Sequence, residues 1–181
     1  MDEPDPAIVA AARGGDLAAF EELVRRYQAD VWRFTFHLLH DPSLADDATQ
    51  DAFVRTFRHI RRFKGTSKFS TWLFSIARNA AIDELRRAHR RDRIEKKIAG
   101  ERPAGPSGSE TSEASDVREA IAALPEELRE VIVMVDLLGF AYRDAGAACG
   151  IPEGTVKSRV HRARRELLQL MQTDPEAADE L

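Results

Sequence analysis

The chain has 181 residues, enough for one large or two small domains, and its hydrophobic content of 43% is ordinary for a folded protein. With 27 Lys and Arg against 31 Asp and Glu, the net charge is −4, which excludes a basic nucleic-acid coat and confines any nucleic-acid contact to local basic patches. A single cysteine, Cys149, excludes an intramolecular disulfide framework and a thiolate metal site, while the absence of any ~20-residue apolar run or N-terminal signal core leads to the expectation of a cytoplasmic protein without membrane insertion.

Gly14-Gly15 breaks an early helical stretch, and Asp16 is placed to cap the next helix. From there Phe20, Leu23, Val24, Tyr27, Val31, Phe34 and Leu38 recur at three- and four-residue steps, which predicts a long amphipathic helix ended by Asp41-Pro42-Ser43. A second helix is predicted from Asp46 to Phe63, with Ala48, Ala52, Phe53, Phe57 and Ile60 on one side. After the loop Lys64–Lys68, Ser70 or Thr71 can cap a third long helix running towards Lys97, with apolar Leu73, Ile76, Ala77, Ala80, Ile82 and Leu85. Trp72 and Phe74 both share helical spacing with Leu73 and Ile76, and at least one of them is expected in the core.

Ala99 to Ser115 is rich in Gly, Pro, Ser, Ala and Glu without periodicity and reads as a flexible linker. Helical patterning resumes with Val117, Ile121 and Leu124, and then Pro125 opens a helix with apolar Leu128, Val131, Ile132, Val135 and Leu138. Leu167, Leu168 and Met171 are expected to close the fold, and the acidic tail from Thr173 to fray. The predicted architecture is all-α: two small helical domains, 8–97 and 116–172, joined by a flexible linker over 98–115.

Residues 139–165 have the layout of a helix-turn-helix. Tyr142 to Cys149 form a short first helix, Gly150 the turn, Ile151 an apolar anchor, and Pro152 the approach to the second helix. Val156, Val160 and Ala163 face inward, which leaves a basic outer face for the major groove. Ala145, Gly146 and Ala148 are small for such a first helix, and a mid-helix glycine costs about 1 kcal/mol relative to alanine.

Three segments together resemble the extracytoplasmic-function (ECF) group of the sigma-70 family. They are Asp46–Phe53, Phe63–Asn79 continuing to Asp83–Arg87, and Leu124–Arg129 followed by the helix-turn-helix ending at Arg159. The resemblance implies a transcription factor, not an enzyme, that binds core RNA polymerase and directs it to promoters by reading −10 and −35 elements. It implies a polymerase-docking face with Asp47, Gln50, Asp51 and Phe53. It implies a −10 loop in which Lys64, Ser67, Phe69 and Asn79 hold an unpaired base, Asp83 sets the preference, and Arg86 and Arg87, with Arg78, contact phosphates. It carries −35 base reading onto Lys157, Ser158, His161 and Arg162, and backbone contacts onto Arg159 and Tyr142. It further implies an anti-sigma factor, which can hold the chain at a membrane, and a linker whose acidic Glu101, Glu110, Glu113 and Asp116 lie in a polymerase channel or act only as a spacer.

From the residues alone, an ordinary helix-turn-helix regulator explains 139–165 but leaves the aromatic loop and the Gln50 segment idle. A nucleic-acid enzyme finds no paired-carboxylate, P-loop or metal-ligand arrangement. His37 and His40 are only two candidate ligands, so no metal or other cofactor and no catalytic residue is expected.

Overall fold

The computed structural model describes the backbone of residues 1–99 and 113–172; the linker reading for 100–112 and the frayed tail fall outside these residues. Among the described residues there are eight α-helices and no strand. They are α1 (Pro6–Gly14), α2 (Leu17–Leu39), α3 (Pro42–His59), α4 (Phe69–Ala99), α5 (Glu113–Ala123), α6 (Glu126–Ile132), α7 (Tyr142–Cys149) and α8 (Glu153–Gln172).

Local chemistry fixes the first three starts. Asp5 accepts from the Ala7 N–H at 2.8 Å, Asp16 from the Ala18 N–H at 2.9 Å, and Asp41 from the Leu44 N–H at 2.9 Å, each satisfying a donor that has no partner within its helix. Pro6 and Pro42 occupy first-turn positions where their missing N–H costs nothing. The second predicted helix thus begins at Pro42 rather than Asp46, because Asp41 caps α3 as well as following α2. It gives way at Ile60–Arg62 to a 3₁₀ turn. α5 likewise starts inside the predicted linker, at Glu113.

In the N-terminal half, α2, α3 and α4 pack together with α1 across them. Leu23, Tyr27, Val31 and Phe34 of α2 meet Leu73, Phe74 and Ala77 of α4, and small Ala45, Ala48 and Ala52 let α3 approach closely. Each large side chain buried this way contributes on the order of 1.5–3 kcal/mol. Two apolar assignments on α3 and α4 shift. Thr56 is buried and donates to the Ala52 carbonyl at 2.7 Å, whereas Phe57 is exposed, its ring edge to face with Phe20. Phe74 is core, while Trp72 is half-buried.

In the C-terminal half, Leu128, Val131 and Ile132 pack on Val156, Val160 and Ala163, with Ala145 and Ala148 of α7 between. The helix opened by Pro125 widens at Val133–Leu137 into a π turn, with the Leu138 N–H donating to the Val133 carbonyl at 3.0 Å. The extra residue rotates the register, so Val135 is only partly covered and Phe140 enters the core. Leu168 and Met171 do not close the fold: both are exposed at the end of α8, beyond the last turn that meets α6 and α5.

The two halves are joined in sequence and also packed against each other. α7 lies on α4, and the Phe74 and Phe140 rings meet edge to face with centroids 5.0 Å apart. Arg129 of α6 donates to the Leu38 carbonyl at the end of α2 (3.2 Å) and to the Leu124 carbonyl (2.9 Å), and it also meets the His40 ring. Periodicity identifies apolar faces but not which faces pair, so this contact is absent from the sequence pattern.

Candidate nucleic-acid interface

The helix-turn-helix follows from its sequence almost residue for residue. α7 ends at Gly150, whose φ of 71° is the left-handed value glycine adopts without a Cβ penalty. The chain turns there, and the Ile151 N–H returns to the Gly146 carbonyl at 2.9 Å. A Cβ on Gly146 would lie 2.7 Å from the Ile151 carbonyl oxygen. The glycine is therefore required by close packing between α7 and the turn.

Burial of Val156, Val160 and Ala163 orients α8 so that Lys157, Ser158, His161 and Arg162 are exposed, on successive turns of one face. Ser158 bonds its own turn through the Thr155 carbonyl (2.9 Å), and Arg162 is held at 2.8 Å by Glu166 one turn on. Arg159 is half-buried, 3.7 Å from the Glu127 carboxylate, and Tyr142 is half-buried at the start of α7. Arg164 is engaged in a two-pronged pair with Asp136 at 2.9 and 2.7 Å. Cys149 is buried, its thiol 3.6 Å from the Met134 sulfur; burial pushes its ionisation up, as for a small core filler rather than a reactive thiol.

The −10 candidates divide into exposed and covered groups. Lys64 and Ser67 are exposed on the loop, and Asn79 and Arg86 on α4. Phe69 is only 4% exposed, enclosed by Phe63, Trp72 and Tyr27 with ring centroids within 5.9 Å. Asp83 receives Arg55 at 2.8 Å, and Arg87 and Arg91 both reach the buried Glu84 at 2.9 Å. Arg78 is committed to Glu130 of the other half.

On α3, Asp47 and Gln50 are exposed, Phe53 is half-buried, and Asp51 holds Arg55 at 2.6 Å. Arg55 thus bridges the proposed docking face and the proposed −10 face, with Asp51 on one side and Asp83 on the other.

Two groups at the loop, Lys68 and Glu3, were not singled out from sequence as site residues. Lys68 extends to Asp144 of α7 at 2.7 Å. Neither Ser70 nor Thr71 caps α4; the Glu3 carboxylate does, accepting from the Phe69 N–H at 2.9 Å, the Ser70 N–H at 3.3 Å and the Ser70 hydroxyl. A partner 66 residues away leaves no local sequence signal. Among the described residues, no helix is long and apolar enough to cross a membrane.

Comparison with known proteins identifies the family of both halves. Residues 23–91 match the family model described as Sigma-70 region 2, and residues 114–167 match Sigma-70, region 4. The chain is 40% identical over 173 residues to the ECF RNA polymerase sigma factor SigC of Mycobacterium tuberculosis, covering 92% of this chain and 91% of that protein. Its fold is similar to the sigma factor RpoE from Bartonella quintana, solved in complex with the anti-sigma factor NepR, at TM-score 0.71 and 29% identity over 86% of this chain and 98% of that one. It is also similar to CnrH, solved in complex with the cytosolic domain of CnrY, at TM-score 0.72 and 27% identity over 94% and 98% of the two chains.

Proposed function

The chain belongs to the ECF group of the sigma-70 family of RNA polymerase sigma factors, and from that premise we propose how its parts share the work. The protein binds core RNA polymerase and directs initiation from promoters carrying −10 and −35 elements. Residues 8–97 form the module that docks on polymerase and opens the −10 element, and residues 116–172 the module that reads −35 duplex.

The observation that carries this division is the exposure of Lys157, Ser158, His161 and Arg162 on one face of α8 while Val156, Val160 and Ala163 are buried behind them. That face has the width and chemistry of a major-groove reader: Arg162 can grip a guanine edge with two donors, and Lys157 and Ser158 reach neighbouring edges or phosphates. Arg159 and Tyr142, nearer the core, fix the register through backbone contacts. In the other half, Lys64, Ser67 and Asn79 are the exposed groups that receive the melted strand, with Phe69 supporting the loop from beneath. Arg86 and Arg87 flank its path. Asp83, already fixed by Arg55, sets base preference, and Asp47, Gln50, Asp51 and Phe53 present the polymerase-facing side of α3.

Such a protein is not an enzyme; it lends recognition to the polymerase's own chemistry. It works in the cytoplasm, where the polymerase is. An anti-sigma factor, as NepR is for the RpoE relative, holds it inactive.

The test is direct. Purified chain mixed with core polymerase should co-elute as a one-to-one complex that protects a −35/−10 promoter from nuclease, whereas free chain should not. Failure to associate with core under any salt condition overturns the proposal.

A further inference from the structure

We propose that the segment preceding α1 is an intramolecular strap, latched by Glu3, that competes with promoter DNA for the start of α4. The inference rests on the −10 reading of this loop given above.

Glu3 belongs to no helix, yet its carboxylate satisfies the first free N–H donors of α4, those of Phe69 and Ser70 at 2.9 and 3.3 Å, and takes the Ser70 hydroxyl as well. The strap is held at its other points by the Tyr27 hydroxyl, which donates to the Asp2 carbonyl at 2.9 Å, and by Arg26, which donates to the Glu3 carbonyl at 3.1 Å and pairs with the Asp2 carboxylate. Under this cover Ser70 is 1% exposed.

A DNA phosphate offers the same things Glu3 does: negative charge and acceptor oxygens aimed at helix N–H donors. The latch lies within the loop whose exposed Lys64 and Ser67 are the −10 candidates. The adjacent cation, Lys68, is likewise occupied by a carboxylate of the chain, Asp144, at 2.7 Å. In the free protein, acidic side chains therefore fill the polar positions at the end of the loop. Capture of the melted strand exchanges Glu3 for a backbone phosphate, and the latch sets a threshold that weak or mismatched −10 sequences do not pass.

The probe is a fluorescein-labelled single-stranded oligonucleotide carrying the non-template −10 sequence of a promoter mapped for this factor, bound to the free full-length chain. Glu3→Gln is expected to tighten binding about tenfold, the scale of one charge-assisted contact removed from competition. The charge-matched Glu22→Gln on exposed α2 should change it much less. Replacing one phosphate of the oligonucleotide by a neutral methylphosphonate should abolish the Glu3→Gln gain at a single position. In the unmodified chain, the NMR signals of Asp2 and Glu3 should move to random-coil positions on saturation with oligonucleotide, while Asp5 keeps its cap on α1. Equal effects of Glu3→Gln and Glu22→Gln, or strap signals that stay in place in the bound wild-type chain, overturn the strap. Wild-type preference for the −10 oligonucleotide over a scrambled one tests the underlying reading separately.

Discussion

Arg78 of α4 and Glu130 of α6 form a two-pronged ion pair across the halves of the chain, with Arg78 Nη2 3.2 Å from Glu130 Oε2 and Glu130 only 4% exposed. A carboxylate this buried depends on its partner for its hydration substitute. Arg78→Ala should therefore lower the urea-unfolding stability by about 2–3 kcal/mol, less than the ~3–5 of a fully buried pair because Arg78 keeps some solvent contact. Adding Glu130→Leu to Arg78→Ala should recover most of the loss. Equal stability of wild type and Arg78→Ala would show that the halves are not packed this way in solution.

Gly146→Ala tests the packing of the helix-turn-helix. On propensity alone, alanine stabilises a helix interior by about 1 kcal/mol. Here the added methyl meets the backbone carbonyl of Ile151 at 2.7 Å, and backbone cannot yield as a side chain can. The expected result is destabilisation by about 1–3 kcal/mol and weakened −35 duplex binding. A rise in melting temperature would show that the turn relaxes freely.

Acid should loosen the contact between the halves before it attacks the carboxylates. Burial, then Arg129 and His37, holds the ionisation of His40 down at about 4. Burial, then Arg118, Arg33 and Arg129, also lowers that of His37. Both rings are thus neutral when folded but take protons near pH 6.5 when unfolded. Because the unfolded chain binds more protons, stability is complete above that value and falls as pH drops from there towards about 4. Urea midpoints between neutral pH and about pH 5 should decline, and His40→Gln should flatten part of the slope. A midpoint that rises with acid would contradict the assignment.

Arg162→Ala should relax preference at one −35 base pair and cost about 1–3 kcal/mol in duplex affinity, while Lys157→Ala should weaken all sequences more evenly if Lys157 serves a phosphate. Competition binding against a duplex library reads both. Arg162 sits 2.8 Å from Glu166 in the free chain, so Glu166→Gln, which frees the guanidinium and removes a negative charge, should strengthen binding. An Arg162→Ala variant with unchanged base preference would remove Arg162 from the reading face.

Much of this was legible from residue order. Helical spacing located Val156, Val160 and Ala163 as buried and hence fixed which side of α8 is presented. Asp16 and the Gly150 turn announced themselves by residue type. What stayed hidden depends on distant partners. Glu130 looks like any acidic residue on a surface helix, and nothing near Arg78 in sequence announces the pair. Glu3 looks like part of an acidic start until the fold carries it to Phe69. The role of Gly146 stayed open because propensity describes an isolated helix, whereas that role is set by a carbonyl in the next turn of chain. Phe57 shows the converse: apolar type and helical spacing placed it inside, yet it is exposed on α3, with its ring against that of Phe20.

Run-off transcription on mapped promoter fragments, with core polymerase freed of every other initiation factor, decides whether the chain is an initiation factor. Discrete transcripts should appear only when this chain is added and vanish when either the −35 or the −10 element is scrambled. Active core that yields no start dependent on the chain, or starts indifferent to both elements, would contradict that role.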